Sequence, residues 1–115
     1  MNKYFHNPRC SKSRQGLAIL EENGVELKIV EYLKEGISQK DFLEIVRLSN
    51  RSPLDGLIRT KEALFKELDL KGKEFSNKEW AKIISENPKL LERPILLNDS
   101  TAVVGRPPES FNSIK

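Results

Sequence analysis

The residues of this chain best suited to chemistry lie in one stretch, His6 to Arg14, reading H-N-P-R-C-S-K-S-R. It holds the single cysteine, Cys10, and the single histidine, His6. A short apolar run, Tyr4-Phe5, comes just before it, and a segment with helical spacing (Leu17, Ile19, Leu20) follows as far as Gly24. The sulfur is therefore expected where a strand stops and a helix starts. Free backbone N–H groups and the positive end of the helix dipole favour an anion at such a junction. A thiol there is pushed toward thiolate, its nucleophilic form, and Arg9, Lys12 and Arg14 add positive charge within a turn or so. A lone cysteine is more often a small buried hydrophobe. Proline, arginine, serine and lysine neighbours are poor company for a core position, so the local sequence points to a reactive thiol.

Three arginines stand apart from the general surface charge: Arg59 in L-I-R-T, Arg93 in E-R-P-I-L and Arg106 in V-G-R-P-P-E. Each falls at a break between elements. If they converged on one thiolate they would form a receptor for a tetrahedral oxyanion, because each offers a planar fork of donors and a permanent charge. Spacing alone does not show convergence, and an arginine beside a proline often only anchors a loop. One cysteine cannot form an internal disulfide, so any resolving thiol must come from another molecule. One Cys and one His far from any acidic cluster do not make a metal site.

At 115 residues the chain is expected to be one domain, residues 1–115, with a single hydrophobic core. Charged residues make up 32% and hydrophobic ones 37%, which suits a globular protein in water. No apolar run approaches membrane-spanning length and no basic-then-apolar leader is seen, so a cytoplasmic location without membrane contact is the expectation. The net charge of +3 arises from basic residues interleaved with acids, as at Lys61-Glu62 and Lys66-Glu67. With no basic block and few aromatics, a small anionic ligand explains selected arginines better than a nucleic acid does.

Residues near 3–6 read as a strand, followed by the Cys10 loop, a helix to about Asn23 and a second strand from Leu27 through Tyr32. Such a strand–helix–strand unit places its two strands parallel with a right-handed crossover. Lys34-Glu35-Gly36 reads as a turn. Ser38 opens a helix with Asp41 placed for a capping-box pair, and Phe42, Ile45 and Val46 form its buried stripe. Ser52-Pro53 restarts a short helix weakened by Gly56, and Leu64, Phe65 and Leu68 mark another. Ser76 and Glu79 form a second capping box, opening a helix whose inner face is Trp80, Ile83 and Ile84; Asn87-Pro88 stops it. No strand is expected between about 38 and 91. Ile95–Leu97 and Ala102–Val104 then read as a β-hairpin about the turn 98–101, and Arg106-Pro107-Pro108-Glu109 starts a final short helix. This order matches the thioredoxin-like α/β fold, a mixed four-stranded sheet with flanking helices and a helical insertion in the middle. In that fold a proline before the third strand faces the cysteine, usually through a cis peptide bond, and Pro94 stands in that place.

H-N-P-R-C-S-K-S-R, together with R-P-I before a strand and G-R-P-P-E near the C-terminus, resembles the arsenate reductase family of the glutaredoxin-linked type, the ArsC family, and within it the YfgD-like subgroup. The resemblance runs over essentially the whole chain. It implies that Cys10 is the nucleophile and that Arg59, Arg93 and Arg106 hold the oxyanion and its thiol adducts. It also implies that His6 and Ser13 support a low cysteine pKa, and that Asn7 and Ser11 belong to the anion-binding loop. The implied function is reduction of arsenate to arsenite through a Cys10 adduct. Glutathione is the co-substrate, glutaredoxin the partner, and no cofactor is bound.

The residues keep simpler roles open. His6 at a strand end can cap or pack, Ser11 and Ser13 can serve as helix caps, and Arg9, Lys12 and Arg14 can be merely solvated. Two other functions also remain. One is a glutathione-dependent thiol oxidoreductase with a different substrate. The other is an Spx-type regulator that binds RNA polymerase; those switch through a C-x-x-C pair, and here the second position is Ser13.

Overall fold

The computed structural model describes residues 1–115. Strand β1 spans Asn2–Phe5, and helix α1, Ser11–Glu22, leads to β2, Leu27–Val30. Four helices follow: α2 (Tyr32–Glu35), α3 (Gln39–Ser49), α4 (Ala63–Glu67) and α5 (Asn77–Glu86). The hairpin strands β3 (Ile95–Leu97) and β4 (Ala102–Val104) complete one sheet of order β2-β1-β3-β4. β1 runs parallel to β2 and antiparallel to β3, so the sheet is mixed, as the crossover rule and the hairpin turn require.

Side chains alternate between the two faces of this sheet, as the period of a strand dictates. Phe5, Ile95, Leu97, Ala102 and Val104 join a core cluster of eighteen buried residues with Phe42 and Ile45 of α3 and Trp80 and Ile84 of α5. Tyr4 and Leu96 face the other way and pack with Leu20 of α1 and Phe111 in a cluster of four. α1 sits on this thinner side, which brings its first turn over the end of β1. Gly16 and Gly105 let the layers close. A Cβ on Gly16 would stand 2.6 Å from the Tyr4 hydroxyl, and one on Gly105 would overlap the Phe111 ring and meet Pro94 at 2.8 Å.

Four details depart from the sequence reading. β2 ends at Val30, and residues 32–35 are a helical turn closed by Gly36 at φ +81° rather than a strand end and turn. Asp41 does not reach back to complete a capping box. Ser38 Oγ accepts its N–H at 3.0 Å, but its carboxylate pairs with Lys3 Nζ at 3.0 Å, drawing α3 toward β1. Ser76 and Glu79 do form the reciprocal box. Residues 53–56 form a turn, not a helix, because Gly56 takes φ +84°. The stretch expected to lack extended structure holds an antiparallel bridge, Ile58 to Leu91. The final segment, Pro108–Phe111, is 3₁₀. Arg93–Pro94 is cis as anticipated, and Arg106–Pro107 is cis as well.

Candidate active site

Cys10 is the N-cap residue of α1, half-buried, with an extended backbone (φ −93°, ψ 123°). Its main chain starts the helix, since Arg14 N donates to Cys10 O at 3.0 Å. A capping position normally carries an oxygen that takes the N–H of the second or third helical residue. Here a sulfur faces the N–H groups of Lys12 and Ser13, without the geometry of a full hydrogen-bonded cap. Partial burial acts to raise the thiol pKa. The Ser13 N–H, the Arg93 charge, the Lys12 N–H and the Arg106 charge together outweigh it, and the net direction is below the ordinary value.

The loop before the helix is held by the residues that flank the sulfur. Ser13, fully buried, accepts the Asn7 N–H at 3.0 Å and lies 2.7 Å from His6 Nδ1. We assign the Ser13 proton to that second contact, which leaves His6 neutral with its own proton on Nε2. Burial lowers the His6 pKa, with Arg14 acting the same way and Glu31 and Glu21 opposing, so the neutral ring is favoured. Tyr4 Oη donates to Ser13 O at 2.6 Å and ties the first turn of α1 to β1. His6 and Ser13 therefore act on Cys10 through the shape of the loop. Asn7 Oδ1 accepts the Arg9 N–H at 3.1 Å, and Arg14 Nη1 donates to Pro8 O at 2.9 Å. Ser11, Arg9 and Lys12 are exposed. Lys12 contributes to the thiolate through its backbone N–H, and the main charges acting on it are those of Arg93 and Arg106.

Those two arginines are brought together by the hairpin. Gly105 N donates to Pro94 O at 2.9 Å, continuing the β3–β4 ladder past its last strand pair. Arg106 then folds back, so that Nε donates to Arg93 O at 2.8 Å and Nη2 stands 3.7 Å from Cys10 Sγ. Arg59 arrives by the unexpected bridge. Arg59 N donates to Leu90 O at 2.8 Å and Glu92 N to Leu57 O at 2.9 Å, an antiparallel splice that sets residue 59 opposite residue 90, on the segment that leads into Arg93. All three arginines line one cavity of about 450 Å³ with Ile58, Glu62 and Glu92. Cys10 stands beyond its lining, and Arg106 links the two. The three arginines are brought together, but not all onto the sulfur: Arg106 touches it, Arg93 acts on it through space, and Arg59 shares their cavity.

Three residues of the site were not singled out in the sequence. Glu92 carries a carboxylate oxygen 3.0 Å from Arg93 Nη1 and 3.2 Å from Arg106 Nε. Glu62 lies 3.1 Å from Arg59 Nη1, at the i,i+3 spacing that could have suggested it. Tyr32 is fully buried, and burial pushes its hydroxyl up to about 12, with Arg93 and Arg59 opposing and Cys10 and Glu92 adding to the rise. Nothing in its apolar run marked it. Arg93 Nε is buried with no acceptor, an arrangement that costs about 1–3 kcal/mol while the donor stays unpaired.

A mixed four-stranded sheet, a thiolate-favouring cysteine at the first helix N-terminus and a cis proline just before the third strand define a thioredoxin-like protein with a one-cysteine site. Residues 5–114 match the model of the ArsC family, and the chain belongs to that family. It is 41% identical over 112 residues to the uncharacterized protein YfgD of Escherichia coli, covering 97% of this chain and 94% of that one. It is 41% identical over 110 residues to an arsenate reductase of Haemophilus influenzae, covering 96% and 95%. The structure of an arsenate reductase from Vibrio cholerae superposes with a TM-score of 0.89 at 35% identity, covering 99% of this chain and 97% of that one. A more distant relative, the global transcriptional regulator Spx 1 of Oceanobacillus iheyensis, is 30% identical over 101 residues, covering 88% and 76%.

Proposed function

We propose that this protein reduces arsenate to arsenite in the cytosol, with glutathione and glutaredoxin as the external thiols. The observation that carries this reading is the Arg106 guanidinium, which spans the Cys10 sulfur at 3.7 Å and the arginine-lined cavity. An oxyanion held there presents its central atom to a nucleophile whose thiolate form is favoured relative to a free cysteine. Cys10 thiolate forms a sulfur–arsenic bond as one oxygen leaves as water or hydroxide. Glutathione displaces a second oxygen to form a second sulfur–arsenic bond. A glutaredoxin thiol then attacks the glutathionyl sulfur; that sulfur–arsenic bond breaks, its electron pair stays on arsenic, and a mixed disulfide departs. Water releases arsenite and restores Cys10. The scheme fits a chain with one cysteine, whose resolving thiols must be foreign.

Arsenate-dependent NADPH oxidation, coupled through glutathione reductase, glutathione and glutaredoxin, tests the reading. We expect turnover in the native protein and none in Cys10→Ser. Turnover that survives in the variant, or no turnover in the native protein, overturns it.

The cavity volume favours one second reading, exchange on glutathione mixed disulfides, since about 450 Å³ exceeds what a tetrahedral oxyanion fills. The same assay with a glutathione mixed disulfide in place of arsenate separates the two. An Spx-like redox switch draws less support, because Ser13 is fully buried and holds both His6 and the Asn7 amide.

A further inference from the structure

The arginine cavity contains its own anions. Glu92 Oε1 accepts from Arg93 N at 3.1 Å and from Arg93 Nη1 at 3.0 Å, and stands 3.2 Å from Arg106 Nε. On the opposite side Glu62 pairs with Arg59 Nη1 at 3.1 Å through one oxygen and with Lys89 Nζ at 3.2 Å through the other. Both carboxylates are sheltered, with 20% and 14% of their side chains exposed. Their settings differ. Lys89 balances Glu62 from outside the cavity lining, which leaves the Arg59 charge available. Glu92 has no cation other than Arg93 and Arg106, and its bonds to them are those a bound oxyanion would make. It also leaves Arg93 Nε without an acceptor, so the pair retains donor capacity that the carboxylate does not fill.

We propose that Glu92 determines the anion specificity of this site: it occupies the Arg93–Arg106 pair in the free protein and is displaced when an oxyanion enters. The inference rests on the oxyanion reading above. An incoming anion must exchange a guanidinium–carboxylate pairing for one of the same kind, so charge alone yields little net affinity. Phosphate has only charge and hydrogen bonds to offer. Arsenate matches it in both and also accepts the Cys10 sulfur, because thiols displace oxygen from arsenic far more readily than from phosphorus. Glu92 thus sets a threshold that covalent capture passes and simple ion pairing does not. Its role is exerted through the two arginines, which makes it a specificity residue and not a catalytic one.

Glu92→Gln separates charge from shape, since the amide oxygen can still accept the Arg93 N–H while the competing charge is gone. The probe is inorganic phosphate, read by its protection of Cys10 from iodoacetamide. We expect phosphate to bind Glu92→Gln about tenfold more tightly than the native protein, and Glu92→Asp to restore the native value. A residue that merely ordered the arginines would change in the opposite direction, with weaker protection in Glu92→Gln. Equal or weaker protection overturns the inference alone. No protection in either protein removes the oxyanion site and the inference with it. The native protein supplies an independent measurement if Glu92→Gln does not fold. Phosphate should shift the Arg93 backbone amide resonance, because that N–H loses its carboxylate acceptor. An unmoved Arg93 amide, while other site resonances shift, overturns the proposal.

Discussion

Around Cys10, the groups that favour the thiolate locally are the N–H groups of residues two and three positions further on, and the loop is braced by His6, Asn7 and Ser13 from the same stretch. The arginine cavity has no such unity. Its guanidiniums come from the 57–59 splice, the second residue before β3 and the second residue after β4, and each meets a carboxylate before it meets a ligand. The thiol half is a local device that helix geometry alone nearly completes. The arginine half is a tertiary assembly in which charge is already compensated. A local nucleophile can therefore be activated without a ligand, while the anion receptor stays guarded until one arrives.

The largest expected effect separates the halves outright. Cys10→Ser should abolish turnover and alkylation while leaving the thermal midpoint near that of the native protein, because the half-buried Cys10 belongs to neither core cluster. Next come the arginines, whose graded positions predict different signatures. Arg106→Gln should raise the pH at which Cys10 becomes alkylatable and weaken anion protection about tenfold or more. Arg59→Gln should weaken protection but shift the Cys10 titration less than Arg106→Gln does, since the main charges acting on the sulfur are those of Arg93 and Arg106. Equal shifts in both variants would show that the cavity and the thiol are a single electrostatic unit. Gly105→Ala should destabilise the protein by about 2 kcal/mol in denaturant unfolding, because its methyl group overlaps Phe111 and crowds Pro94.

Smaller effects sharpen the local half. Ser13→Ala should cost about 1–2 kcal/mol, as it strands the Asn7 N–H, and it should loosen the thiol loop. His6 is held below its ordinary 6.5, so the folded state resists protonation that the unfolded state accepts. Its contribution is complete above about pH 6.5 and is lost as the pH falls toward the lower folded value. The Cys10 contribution has the same sign, present above about 9.0 and lost as the pH falls through the depressed folded value. Stability measured against pH should decline below 6.5, and His6→Asn should flatten that decline. The smallest effect belongs to Arg9→Ala, within about 0.5 kcal/mol, with the Cys10 titration unchanged.

The thiol site, the mixed sheet and most helices could be read from the order of residues because each depends on short-range rules: strand alternation, helical spacing, a cap and a turn. The β-hairpin 95–104 and the Ser76–Glu79 box are of this kind. Where the reading failed, a distant partner or a backbone conformation overrode the local signal. Lys3 draws the Asp41 carboxylate away from its cap, and Gly56 at positive φ turns the 53–56 segment away from helix. The Ile58–Leu91 bridge joins residues that no periodicity relates, and it ties Arg59 to the segment that leads into Arg93. Residue types by themselves determined that this chain has one nucleophile, three candidate guanidiniums and no internal partner for its sulfur. Only the tertiary structure decided which arginine touches that sulfur and that Glu92 already pairs with Arg93 and Arg106, because Coulomb and hydrogen-bond energies depend on distances that sequence separation does not encode.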